Sequence, residues 1–166
     1  MAVWAGYAWL LRAVVYILVT ISGISVLAIM LVTCADVILR LKWINHPFVG
    51  AYDIVKIAGA LSLATALPYT TAVKGHVAIE YFFHKLSRRG RIVLDSLIRP
   101  LGMALFAFFA WRSVTYGFEL HRTHQVSQTL QLPVFWLPFV IGFCCAIVVL
   151  VILHNLLHPV REMIKP

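Results

Sequence analysis

The stretch Ala13–Ala35, reading AVVYILVTISGISVLAIMLVTCA, contains no charged residue, and its reading decides the fold. A helix that crosses a bilayer needs about 20 predominantly apolar residues, and this stretch supplies them. Outward from it, Leu132–Leu153 is a second such run, and Ile57–Val73 is a shorter one that its flanks extend. Pro100–Phe118 is the fourth, interrupted only by Arg112. Inside lipid there is no water to satisfy backbone amides and carbonyls, so each run must satisfy its own as a helix. The expectation is an all-α integral membrane protein with four transmembrane helices, at approximately 12–38, 50–73, 95–119 and 132–156, in a single membrane domain over 1–166.

Composition agrees. Hydrophobic residues make up 62% of the chain and charged residues 12%, against roughly 25% charged in an average soluble domain. The net charge of +8 fits Lys and Arg in short cytoplasmic connections facing anionic lipid. Membrane lipids are therefore expected partners. No basic patch is interleaved with aromatics on a soluble surface, so nucleic acid is not. The first span is too long for a signal peptide and is followed by Asp36 and Arg40 rather than a small-residue cleavage site, so it is expected to be retained. Cys34, Cys144 and Cys145 form no CxxC pair. The last two fall in mid-span, where thiols behave as small apolar groups. A quinone-linked disulfide chemistry would need cysteines in the outer loops.

Orientation follows from Lys and Arg placement. With both termini inside, nine basic residues lie on the inner side: Arg12, Lys74, Lys85, Arg88, Arg89, Arg91, Arg99, Arg161 and Lys165. Five lie outside: Arg40, Lys42, Lys56, Arg112 and Arg122. Both termini are expected in the cytoplasm. The middle connection is more than a turn, because Ile79, Phe82, Phe83 and Leu86 recur at the spacing of one helical face. A short amphipathic helix over 77–89, between Gly75 and Gly90, is expected to lie in the interface, anchored by Phe82, Phe83, Lys85, Arg88 and Arg89.

Seven histidines raise the question of haem. All of them lie in connections or near span ends, none in mid-membrane opposite another, and His121 and His124 lack further ligands. No metal site, no cofactor and no catalytic residue is expected in this chain. Ionisable groups near the spans are better signals, since burying them unpaired in lipid is costly. Asp36 and Arg40 are four apart and can meet on one face; Asp53 and Lys56 are three apart, and Arg112 and Glu119 seven. Each pair reads either as local neutralisation with snorkelling or as a polar seam toward another protein. The centre of the bundle carries no charge. A small four-helix antiporter would place a carboxylate inside its first helix, and Ala13–Ala35 has none.

Four local patterns occur in order along the chain. They are Ala35-Asp36-Val37-Ile38-Leu39-Arg40, Phe48-Val49-Gly50-Ala51-Tyr52-Asp53-Ile54-Val55, Val73-Lys74-Gly75-His76-Val77-Ala78-Ile79-Glu80-Tyr81, and Ser127-Gln128-Thr129-Leu130-Gln131-Leu132-Pro133-Val134-Phe135-Trp136. Together they resemble the small membrane (DctQ-like, Q component) subunit of tripartite ATP-independent periplasmic, or TRAP, transporters, from about Val19 to Leu153. The family often has Glu where Asp53 stands, Arg-Gly or Arg-x-Gly at Lys74-Gly75, and Asp at Glu80, all charge-conserving differences. Leu67-Pro68 within the second span departs further and predicts a local bend.

The resemblance implies a division of labour in a bacterial inner membrane. A soluble periplasmic substrate-binding protein captures an organic acid. A large membrane subunit, the M component, holds the substrate and sodium sites and moves as an elevator. The small subunit enlarges the fixed scaffold and helps to dock the periplasmic partner for ion-coupled uptake. On this reading Asp36, Arg40, Asp53 and Lys56 organise the outer rim, and Gly75, His76 and Glu80 set the angle between the second span and the interfacial helix. Gly102, Phe106 and Phe109 are candidates for the face against the large subunit, which is expected to be a separate chain. Two alternatives from other classes are a self-contained antiporter and the membrane anchor of a respiratory complex.

Overall fold

A computed structural model describes residues 2–41, 48–73 and 88–157, with backbone alone at 2–5, 8, 88–97, 99 and 157. The described residues form α1 (Ala2–Leu39), α2 (Ala51–Ala72), α3 (Arg88–Arg122) and α4 (Trp136–Leu157). The fold is all-helical, with one isolated antiparallel bridge between Val126 and Pro133. Three helices contain stretches long and apolar enough to cross a membrane: Trp9–Leu39, Ala51–Ala72 and Trp136–Leu156. At a rise of 1.5 Å per residue α2 and α4, of 22 residues each, are about 33 Å long, close to the roughly 30 Å hydrocarbon core.

α3 is not among the three. Arg112, Ser113, Thr115 and Tyr116 dilute its apolar character where the sequence run is otherwise aromatic and aliphatic. Its 35 residues extend about 52 Å, and it begins at Arg88. The expected interfacial helix, with Gly75, His76, Glu80, Phe82, Phe83 and Lys85, lies outside the described residues. Arg88 and Arg89 are described only as the backbone of the first turn of α3.

Packing follows the sequence pattern. On α1 the buried residues Leu11, Val15, Leu18, Ser22 and Ser25 recur at alternating spacings of four and three, the single stripe of a helix with one packed face. That stripe meets Ala64 and Ala72 of α2 and Cys144, Ile147 and Val151 of α4 in one apolar cluster. α1 and α2 run antiparallel, touching at Tyr16–Tyr69 and at Ser22–Ser62. The Ser22 hydroxyl donates to the Ser62 carbonyl at 3.0 Å, a polar contact between small residues of the kind that holds helices together in lipid. α2 continues unbroken through the buried Pro68.

α3 and α4 form a second antiparallel pair in which glycines set the approach. A β-carbon on Gly142 would lie 3.2 Å from Val114 and 3.3 Å from the Ala110 carbonyl, and one on Gly117 would lie 3.0 Å from the Phe139 ring. Gly102 also faces inward, toward Ile152 of α4. That contact places it beside the α3–α4 seam. α4 packs against α2 as well as α3, which joins the two helical pairs. The outer faces of α1 (Ile24, Leu27, Leu31) and α3 (Leu101, Leu105, Phe108) remain exposed.

Candidate functional site

Three of the four rim residues converge on polar contacts at one end of the bundle, where α1 stops, α2 starts and α3 turns into α4. Asp36 lies in the last turn of α1 and is joined by Arg40, whose Nε donates to Asp36 Oδ2 at 2.9 Å. Spacing of four on a helix makes this contact possible, and such an exposed pair contributes under about 1 kcal/mol. The second carboxylate oxygen does more for the fold. Asp36 Oδ1 accepts from the Phe48 backbone N–H at 3.3 Å, tying the end of α1 to the entry of α2.

Asp53 is 2% exposed, and its carboxylate makes a different contact from the one its spacing to Lys56 suggests. One oxygen, Oδ2, accepts three hydrogen bonds: from Ser127 Oγ at 2.7 Å and from the backbone N–H groups of Thr129 and Leu130 at 2.8 Å each. Donors to an ionised acceptor give the stronger class of hydrogen bond, and two successive amides with a hydroxyl form a small anion cradle. Asp53 sits in the first turn of α2, where negative charge also complements the helix dipole. Lys56 is exposed, with no described carboxylate within ion-pair distance.

The cradle belongs to a tight loop between α3 and α4. The Ser127 amide donates to the Leu132 carbonyl at 2.9 Å, and the Val126–Pro133 bridge closes the same loop. His124 (φ 48°) and Gln131 (φ 51°) adopt left-handed backbone conformations, rarely taken by residues with a β-carbon. The loop folds over the start of α2, where Gly50 has φ 101°. Leu130 covers that glycine so closely that a β-carbon there would lie 2.6 Å from its side chain. Gly50 is thus required twice, for its backbone angle and for the space above it.

Arg112 and Glu119 are both exposed and form no ion pair among the described residues. Seven residues are two helical turns, about 10.5 Å of rise, too far for a direct contact. His121 packs edge-on against Phe135 with ring centroids 4.9 Å apart. At the opposite end of the bundle His154 is buried, with its ring centroid 6.2 Å from that of Tyr7. Cys144 and Cys145 are buried in the apolar interior. Among the described residues no three His, Cys, Asp or Glu side chains gather as metal ligands.

A bundle of helices with three long apolar spans, one packed interior and broad outward apolar faces defines an integral membrane protein that meets other surfaces in the bilayer. A family model described as "Tripartite ATP-independent periplasmic transporters, DctQ component" matches residues 29–162. The chain belongs to that family, the small membrane component of TRAP transporters. Neither a curated protein nor a solved structure matches it.

The residues that sequence reasoning missed are Gly50, Ser127, Thr129 and Leu130. Ser127, Thr129 and Leu130 stand in a stretch quoted for its resemblance, and Gly50 in another, but nothing local says that one carboxylate joins the two.

Proposed function

We propose that this chain is the scaffold subunit of a TRAP-type secondary transporter in a bacterial inner membrane. It enlarges the fixed framework beside a large elevator-type subunit and helps to dock a soluble periplasmic protein for ion-coupled uptake of an organic acid. The family match over 29–162 carries this reading. The architecture supports it: α1 and α3 offer apolar outer faces for a large membrane partner and for lipid, while Ala13–Ala35 of α1 and Trp136–Leu153 of α4 carry no charge. Sodium coupling belongs to the large subunit.

In this reading α3 is the fourth span. It runs antiparallel to α4 through the glycine contacts, and Arg112, ten residues before its end, snorkels toward the interface. Both termini face the cytoplasm, which puts the Asp36–Asp53 end of the bundle in the periplasm. The test is affinity purification of the tagged chain in mild detergent with mass spectrometry of its companions. A stoichiometric large membrane protein of many helices is the expected companion; recovery of this chain only as a stable homo-oligomer refutes the scaffold reading.

A further inference from the structure

Resting on that scaffold reading, we infer that the loop 126–133 is the docking element for the soluble partner. Asp53 is its positioning residue, and the matching surface on the partner is acidic around an apolar centre. Asp53 itself is buried and one of its oxygens takes all three loop hydrogen bonds. It holds the loop and does not touch the partner. Among the exposed groups are Val49, Val126 and Leu132, at 70%, 51% and 44% exposure, and the polar Gln128 and Thr129. The loop precedes the apolar span Trp136–Leu156 and Val49 precedes the span Ala51–Ala72, so on this reading these apolar side chains stand off the ends of the spans.

Charge says what does cover them. Of the carboxylates at this end, Asp53 is buried in the cradle, and the Asp36 side chain is 18% exposed and bonded to Arg40 and Phe48. Arg40 is the partner that balances Asp36, which leaves Lys56 and Arg122 exposed, against Glu119. The result is an apolar centre within a cationic rim, the anatomy of a protein interface, and such a rim speeds and selects association with an acidic surface. Anionic lipid headgroups also attract cations, but a fluid headgroup layer gains nothing from a fixed backbone. A folded partner does, because a loop already ordered by three bonds costs no further ordering entropy on docking.

The test uses the assembled complex of this chain with its large subunit. A photo-crosslinking residue, p-benzoylphenylalanine, is placed at Gln128, and as a control at Leu63, which is 74% exposed midway along α2. The expected result is an adduct with the soluble partner from position 128 and not from 63, with a yield that falls as sodium chloride is raised. Asp53→Ala is expected to weaken partner binding about tenfold, as the docking-competent loop becomes a minority conformation, with the large subunit still present in normal amount. Asp53→Glu, which keeps a carboxylate, restores part of the affinity. Adducts at 128 only with the large subunit or with lipid, or wild-type affinity in Asp53→Ala, overturn the inference. A wild-type chain that recovers no large subunit strikes instead at the scaffold reading beneath it.

Discussion

Gly50 is the residue where backbone and packing constrain the chain together. Its φ of 101° costs a residue with a β-carbon about 1–2 kcal/mol, and the Leu130 side chain at 2.6 Å from the built β-carbon adds an overpacking term of about 1–3 kcal/mol. Gly50→Ala should therefore lower stability by about 2–5 kcal/mol, read as a fall in the thermal midpoint of the purified protein. The two terms separate in a double variant. In a Leu130→Ala background the steric part disappears, so Gly50→Ala should then cost only the backbone part; equal costs in both backgrounds would show that the contact is not what constrains the site. A mid-membrane contact behaves differently. Ser22→Ala removes the hydroxyl bonded to Ser62, and such bonds between transmembrane helices average about 0.6 kcal/mol, so its midpoint should stay close to wild type. A large fall in Ser22→Ala would mean that the α1–α2 seam depends on this one bond.

At the scale of helices, glycines mark which faces are internal and which are open. Gly142 lies within 3.2 Å of Val114 and 3.3 Å of the Ala110 carbonyl once a β-carbon is built, whereas Gly23 and Gly59 meet nothing within 4 Å. Gly142→Leu should separate α3 from α4 and give an aggregated chain by fluorescence-detected size exclusion. Gly23→Leu should leave the isolated chain monodisperse, and a wild-type profile from Gly142→Leu would contradict the observed helix approach. These seams were only partly legible in the sequence. α1, α2 and α4 could be read because uncharged runs of membrane length have one structural solution in lipid. α3 was less distinct because Arg112 and its polar neighbours interrupt the run. The Asp36–Arg40 contact was legible since both partners lie on one helix. The Asp53 contact was not: Ser127, Thr129 and Leu130 are 74, 76 and 77 residues away, so local spacing pointed to Lys56 instead. The Gly102–Ile152 contact was not legible for a similar reason, since a small residue suits a partner helix and an internal one equally, and only the fold puts Ile152 in front of it.

At the scale of the whole molecule, the uncharged interior of α1 and α4 limits what the chain can carry. A protein that carries a polar solute or an ion across a bilayer needs groups at membrane depth to replace its hydration, and ionisable residues there mark such pathways. Here Ala13–Ala35 and Trp136–Leu153 hold no charged residue. Of the polar groups described in the packed interior, Ser22 donates to the Ser62 carbonyl across to α2, Ser25 and Thr65 donate to carbonyls of their own helices, and the Ser62 hydroxyl lies 3.3 Å from that of Ser22. Among the described residues these hydroxyls are thus taken up by the helices themselves, with Ser22–Ser62 the contact that crosses between α1 and α2. The chain reconstituted alone in proteoliposomes should therefore give no sodium- or proton-driven uptake, with uptake appearing only when the large subunit and the soluble partner are added. Uptake by the chain alone would return the self-contained antiporter as the correct class. Sidedness supplies the matching prediction, because a scaffold that docks a soluble protein must present the 126–133 loop to the compartment that holds it. With Cys34 replaced by Ser and the buried Cys144 and Cys145 replaced by Ala, Gln128→Cys should react with a membrane-impermeant maleimide in intact cells. Reaction only after the inner membrane is opened would invert the topology and place the latched loop on the wrong side for docking.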